Sequence, residues 1–434
     1  MEIASLYHIF QQYPQITTDS RNCKDGSIFF ALKGASFDGN TFAAQALKEG
    51  CAYAVIDEPA YADSSNERLI LVDNCLKTLQ ELANYHRRQL GTRIIGVTGT
   101  NGKTTTKELI STVLSKKYNV LYTQGNFNNH IGVPLTLLRL TARHDIAVVE
   151  MGANHPGEID TLVHIAEPDY GIITNVGKAH LEGFGSFEGV IKTKGELYDY
   201  LRKKPQSIVF IHNDNPYLNG IAHDLNLVRY GRPDGRAVLH ASGEVAECAP
   251  YLSFRWRVGN TAWRSVQTHL IGAYNLDNML AAATIGLYFG VSADLIDEAL
   301  AAYIPQNNRS QLKETAENRL IVDAYNANPT SMMAALTNFR DMKVAPKMVI
   351  LGDMKELGTG SLEEHRKITD FLQECSFDEV WLVGDQFAAA GSSFRTFSHV
   401  EEVKEAIRNH PLKGYYILIK GSNSMKLSQL AEDL

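Results

Sequence analysis

Hydrophobic positions along the chain fall into short blocks whose spacing changes twice. Over the first ninety or so residues, brief apolar runs at 28–32, 52–56 and 69–72 are separated by Gly, Asp and Asn clusters, as buried strands joined by turns would be. Helical spacing follows in Leu76, Leu79, Leu82 and Leu90. Gly91 then stands where a helix stops, because glycine takes the left-handed C′ conformation without a Cβ penalty. From Arg93 the runs at 94–98, 145–150, 171–176 and 207–211 predict buried strands, and Leu109, Ile110, Val113 and Leu114 share one helical face. That alternation predicts a parallel sheet covered by helices. Between 251 and 270 apolar residues alternate with Arg and Thr, predicting an antiparallel hairpin appended to the sheet; helices over 273–290 and 293–303 lead to Pro305. Strands at 320–325, 348–351, 380–383 and 415–419, each followed by a helical pattern, predict a doubly wound, Rossmann-like unit. The expected fold class is α/β in three domains: a small α/β domain (1–91), a central parallel-sheet domain (92–305) and a C-terminal doubly wound domain (306–434).

Composition narrows the function. A chain of 434 residues with 44% hydrophobic and 21% charged positions has the makeup of a globular protein of about three domains. The formal net charge of −7 argues against non-specific nucleic-acid binding, so an anionic ligand must be held by local charge. Five dispersed cysteines (Cys23, Cys51, Cys75, Cys248, Cys375) without a C-x-x-C pair favour neither a disulfide frame nor a zinc site, and fit a reducing, cytoplasmic compartment. No signal-peptide pattern opens the chain, and the most apolar window, 279–291, is too short to span a bilayer. A monomer with no membrane insertion is expected.

The sharpest motif is Gly99-Thr100-Asn101-Gly102-Lys103-Thr104-Thr105-Thr106, between a strand pattern and a helix pattern. Glycines there let backbone N–H groups close on phosphate oxygens, Lys103 would meet the β- and γ-phosphates, and the Thr104 hydroxyl would bind Mg²⁺. Val97 occupies the first glycine slot of the strict P-loop pattern, with Gly96 one place early. Such an enzyme needs a carboxylate at another strand end to complete the Mg²⁺ shell, and Glu150 closes an apolar run. Asn126, Asn128 and Asn129 crowd one Gly-flanked segment, where neutral amides would suit either substrate groups or Asx turns. His180 lies in a Gly-rich stretch, equally open to a capping role. In a doubly wound unit ligands sit at the carboxyl ends of strands, where Asn326, Asn328, Gly352-Asp353 and Lys420-Gly421-Ser422 fall.

Taken in order, these motifs resemble the Mur ligase family over nearly the whole chain. They run from Thr18-Asp19-Ser20-Arg21, Phe30-Ala31-Leu32-Lys33-Gly34 and Asp38-Gly39, through the phosphate loop, 125–134, Glu150-Met151-Gly152-Ala153-Asn154 and 180–186. They end with 323–329, Leu351-Gly352-Asp353-Met354-Lys355-Glu356-Leu357-Gly358 and Lys420-Gly421-Ser422. The resemblance implies an ATP- and Mg²⁺-dependent ligation of D-alanyl-D-alanine to UDP-N-acetylmuramoyl-tripeptide through an acyl phosphate. It assigns UDP-sugar binding to the first domain through Ser20, Arg21 and Lys33, and ATP to the second through 99–105, with Asn275 and Asn278 near adenine. From the third domain, Arg309 would reach the terminal phosphate and Asp323 the ribose. Glu150 and His180 match metal positions, and Lys194 matches a lysine often carried as a carbamate, so two Mg²⁺ ions are expected. Rival readings are the sibling ligase that adds the third amino acid, whose Asp-Asn-Pro-Arg signature is missing from the last domain, and a non-ligase NTP-driven switch. Family relatives that ligate glutamate to folate lack such a first domain.

Overall fold

The computed structural model describes residues 1–233, 238–305 and 309–434. Its strands form three separate sheets. Near the N-terminus, Ile16–Thr17, Ile28–Phe30, Tyr53–Ile56 and Leu69–Leu71 pair in parallel and in sequence order. The helix Cys75–Leu90 follows, its first turn capped by the Asn74 side chain, which accepts from Lys77 N at 2.8 Å. It ends at Gly91, whose φ of +64° and bond to Arg87 O are those of a glycine C-cap.

Among the described residues the central sheet has nine strands. Read across, they are Arg264–Ile271, Tyr251–Val258, Ala241–Cys248, Leu227–Gly231, Ile208–His212, Tyr170–Ile173, Arg93–Thr98, Ile146–Glu150 and Val120–Tyr122. The expected hairpin is one strand larger: Ala241–Cys248 joins Tyr251–Val258 and Arg264–Ile271 in a three-stranded antiparallel meander. Its sequence, ASGEVAEC, has few β-branched residues and no aromatic one. The small residues have a reason, since a Cβ on Gly243 would lie 2.7 Å from Leu280 Cδ2 and 2.9 Å from Arg255 O. The helix Asn275–Tyr288 therefore packs almost on the backbone of that strand. Val120–Tyr122 and Leu227–Gly231 are further strands whose patterns were too short or too polar to predict.

The third sheet runs Gln311–Glu314, Arg319–Asp323, Tyr416–Lys420, Lys347–Gly352, Glu379–Val383 and Arg395–Phe397, parallel except for the antiparallel first strand. Insertion of Tyr416–Lys420 between Arg319–Asp323 and Lys347–Gly352 brings Asp323, Lys420 and Leu351 side by side at the carboxyl ends. Among the described residues no helix is long and apolar enough to cross a membrane. Residue 306, where the last domain is expected to begin, lies outside the described residues.

Candidate active site

The strand Arg93–Thr98 delivers the chain into the glycine-rich loop, and the helix Lys103–Leu114 leaves it. Two glycines make the turn, at φ +141° for Gly99 and +76° for Gly102. A Cβ at Gly99 would sit 2.1 Å from Thr174 Oγ1, so only glycine fits there. The loop is tied down from behind: Thr100 N donates to Asn175 O (2.9 Å), Asn101 N to Asn175 Oδ1 (3.0 Å) and Thr174 Oγ1 to Asn101 O (2.6 Å). Lys103 folds over the loop and donates to Gly99 O (2.8 Å) and Thr100 O (3.0 Å). Burial, with the Arg309 charge adding to it and Glu150 opposing, pulls the Lys103 ammonium down to about 8. An anion in the loop would reverse that depression.

At the next strand end, the buried Glu150 meets this helix. Its Oε1 accepts from Thr104 Oγ1 (3.2 Å) and Asn128 Nδ2 (2.8 Å), while Oε2 has no hydrogen-bond partner among the described residues and lies 3.8 Å from Lys107 Nζ. Lys107 was not anticipated, although it lies one helical turn beyond Lys103; it is fully buried, and burial lowers its pKa. Among the described residues no group of three His, Cys, Asp or Glu converges. A divalent cation would rely on Thr104, Glu150 and the oxygens of a bound nucleotide, which fits the orphaned Oε2 and the hard-oxygen preference of Mg²⁺.

Lys194, on the helix Phe187–Arg202, buries its ammonium against the Phe184 ring and donates to Ala153 O at 3.1 Å. Burial first, and then the Lys103 charge, hold its pKa well below the ordinary lysine value. His180 lies in the segment after Tyr170–Ile173, at φ +50°. Burial lowers its pKa, Glu356 opposes that shift, and Lys103 and Lys194 add to it.

The third sheet closes on this loop. Asn328 Nδ2 donates to Asn101 Oδ1 at 2.7 Å, and the same Asn328 caps the helix Pro329–Asp341. Lys178 N donates to Thr330 Oγ1 (3.1 Å), Lys178 Nζ to Glu364 Oε1 (2.9 Å), and Glu182 N to Glu356 O (3.3 Å). The Arg309 guanidinium stacks on Tyr325, 3.9 Å from the ring centroid, with its buried Nε lacking a hydrogen-bond partner among the described residues. Asp323 Oδ2 accepts from the buried Lys420 Nζ at 2.5 Å, and Oδ1 from Ser310 N at 3.3 Å. Lys103 and Arg309 thus bring positive charge together from two domains, with the buried Lys194 amine close enough to feel the Lys103 charge.

The pattern of the Mur ligase family catalytic domain matches residues 12–87, that of the Mur ligase middle domain 97–286, and that of the Mur ligase glutamate ligase domain 308–423. The UDP-N-acetylmuramoyl-tripeptide–D-alanyl-D-alanine ligase of Bacillus subtilis is 36% identical over 433 residues, covering 96% of this chain and 92% of that protein. The chain belongs to the Mur ligase family. Among solved structures of Mur ligases, MurF from Acinetobacter baumannii superposes with a TM-score of 0.89 at 31% identity, covering 100% of this chain and 98% of that one. MurF from Thermotoga maritima, solved in complex with ADP, gives 0.86 at 26% identity and 97% coverage of both.

In this Mur ligase the remaining candidate residues are dispersed. Asn275 and Asn278 are buried and turned inward: Asn275 Nδ2 donates to Ile271 O (2.8 Å), Asn278 Nδ2 to Asn275 Oδ1 (2.8 Å), and Asn278 Oδ1 accepts from Thr106 Oγ1 (3.0 Å). The adjacent Tyr274 and Asp277 line a cavity of about 820 Å³ between the meander and the helix Pro329–Asp341. Asn129 Oδ1 accepts from Ile131 N and Gly132 N in an Asx turn, whereas Asn126 and Asn326 are exposed. Thr105 lies on the first turn of the phosphate-loop helix. In the first sheet region, Ser20 is buried, Arg21 forms an exposed ion pair with Asp19 (2.8 Å), and Lys33 pairs with Glu58 and with Asp57 (3.2 Å). Asp19 borders a second cavity, of about 450 Å³, with Phe127 and Arg139 opposite it. Asn307 and Asn308, which precede Arg309, lie outside the described residues.

Proposed function

We propose that the chain joins D-alanyl-D-alanine to UDP-N-acetylmuramoyl-tripeptide, hydrolysing ATP to ADP and phosphate and forming UDP-N-acetylmuramoyl-pentapeptide for peptidoglycan synthesis in the cytoplasm. It is an ATP-dependent amide-bond-forming ligase. The convergence of Lys103, Arg309 and Lys194 beside the Thr104–Glu150 pair carries the mechanistic reading, with the near-full-length likeness to D-alanyl-D-alanine ligases supporting the substrates.

A carboxylate does not react with an amine at neutral pH because oxide is a poor leaving group. The terminal carboxylate of the tripeptide attacks the γ-phosphorus in line, ADP leaves, and an acyl phosphate forms. Lys103 and Arg309 spread the charge on the transferred phosphoryl group. The amine of D-alanyl-D-alanine, once deprotonated, attacks the acyl carbon; the tetrahedral species expels phosphate and leaves the amide. Mg²⁺, held by Thr104 and Glu150 with a second ion at His180 and Lys194, would supply Lewis-acid charge neutralisation. A neutral Lys194 amine, favoured by its burial, is the form that reacts with CO₂ to give a carbamate ligand. The third sheet, seated on 177–182 through Thr330, Glu356 and Glu364, excludes the water that would hydrolyse the acyl phosphate.

With domain boundaries proposed at 91/92 and 305/306, the first domain would hold the UDP-sugar through Ser20, Arg21 and Lys33, the second the ATP, and the third would place Asp323 at the ribose. Asn126, Asn128, Asn129, Asn326 and Asn328 would contribute polar contacts for the peptide ends. Mass spectrometry of the product tests the proposal. With ATP and UDP-N-acetylmuramoyl-tripeptide, D-alanyl-D-alanine gives a pentapeptide, and single D-alanine reacts far more slowly. Preferred addition of meso-diaminopimelate or L-lysine to the dipeptide precursor would instead mark the sibling ligase, and ATP turnover with no ligated product would mark a switch.

A further inference from the structure

The segment after Lys347–Gly352 is fixed by an unusual number of bonds. Asp353 is fully buried; its carboxylate accepts from Gln386 N (3.1 Å) and Phe387 N (3.0 Å), and its carbonyl accepts from Ser422 N (3.2 Å). Met354 N donates to His365 Nε2 (3.0 Å) and Lys355 N to Ser422 Oγ (3.0 Å). The chain then turns sharply, with Glu356 at φ +64° and Gly358 at +57°. A left-handed glutamate costs conformational energy that the anchored flanks must hold in place. This turn carries the Glu356 carboxylate across to the central sheet region, where Oε2 makes a close ion-pair contact with the buried His180 Nδ1, an atom with no hydrogen-bond partner among the described residues, while the Glu356 carbonyl accepts from Glu182 N (3.3 Å).

We propose that Glu356 is a positioning residue: from the third domain, its carboxylate accepts the Nδ1 proton of His180 and so presents the ring's Nε2 to the metal and phosphate site. This rests on the two-ion reading above. An imidazole can ligate through one nitrogen only when the proton sits on the other, and a carboxylate behind the ring settles that choice. The contact bridges two sheets, so the histidine is oriented only while the third sheet rests on 177–182. Assembly of the second cation site is thereby linked to closure. The Lys178–Glu364 and Lys178–Thr330 bonds hold the two sides of this seam in register but touch no imidazole.

Two readouts test this, neither of them turnover. Histidine-selective ¹⁵N spectra of the metal-free enzyme, with the His180 signal identified by its loss in His180→Asn, should show the Nδ1–H tautomer in the wild type and a mixture in Glu356→Ala. Glu356→Gln, which keeps an acceptor oxygen, should restore the wild-type tautomer. With ADP present, Mn²⁺ titration followed by EPR should show two bound ions in the wild type, and in Glu356→Ala a second ion bound roughly 10–100-fold more weakly. The first Mn²⁺ and ADP should bind unchanged. Two ions whose affinities ignore Glu356, or a His180 tautomer that ignores it, overturn the proposal alone. A single Mn²⁺ in the wild type overturns both the proposal and the two-ion reading beneath it.

Discussion

The phosphate loop and the first-domain residues Ser20, Arg21 and Lys33 are both expected to meet phosphorylated substrates, yet they are built differently. Around the loop, charged groups are buried, drawn from distant parts of the chain and shifted in pKa by desolvation: Lys103 to about 8, with Lys107 and Lys194 also lowered. In the first domain, Arg21 and Lys33 lie near the surface, paired with acidic neighbours that keep them charged, and the Asp19 carboxyl is held at about 2 by Arg21. Positive charge held under a desolvation penalty is a site waiting for an anion that changes during reaction. Charge already neutralised at the surface contributes recognition, which acts equally on ground state and transition state.

Mutation at the loop should give the largest effect. Lys103→Ala is expected to lower turnover by at least ~10²-fold, with circular dichroism and melting temperature nearly unchanged. Near-normal turnover would erase the distinction between the two regions. Next comes Lys194. Lys194→Ala should reduce activity roughly 10–100-fold, as loss of a metal-site group does, with partial recovery in a small carboxylate buffer. The wild type incubated with ¹³C-bicarbonate should show a carbamate resonance that the variant lacks; its absence in the wild type would leave Lys194 an unmodified buried amine. The smallest effect belongs to the first domain. Arg21→Ala should raise KM for the UDP-linked substrate by about fivefold at most and leave kcat unchanged. A matching fall in kcat would show that this surface acts in the transition state, and the contrast would fail.

The sequence was most readable where one local pattern sufficed. The Gly99–Thr104 motif, the strand ending at Glu150 and the stop at Gly91 each follow from neighbouring residues, and the structure has them as expected. Features set by distant packing were less visible. Gly243 in the strand Ala241–Cys248 leaves room for the helix Asn275–Tyr288, whose Leu280 Cδ2 a Cβ there would approach to 2.7 Å, and nothing within ASGEVAEC reveals that helix. Lys107 reads as one more polar residue on a helix; only the fold buries it against Glu150. Glu356 sits in a quoted motif, but its pairing with His180 depends on how two sheets meet. The inward turn of Asn275 and Asn278 likewise needs Thr106 to be seen as their partner.

The order of strands around the phosphate loop also sets a timetable for synthesis. Arg93–Thr98 lies between Ile146–Glu150 and Tyr170–Ile173, both made later, and Gly102 rests against Asn278, made later still, since a Cβ there would approach Asn278 Oδ1 to 2.8 Å. A chain emerging from the ribosome therefore exposes its glycine-rich loop unsupported until about 180 further residues have followed Gly99. At ~5–20 residues per second that interval is about 10–35 s. The parallel sheet of the first domain pairs only its own strands, but the helix ending at Leu90 also waits for later residues: Gln80 Nε2 donates to His130 O (2.9 Å) and Asn84 Nδ2 to Ile165 O (2.9 Å).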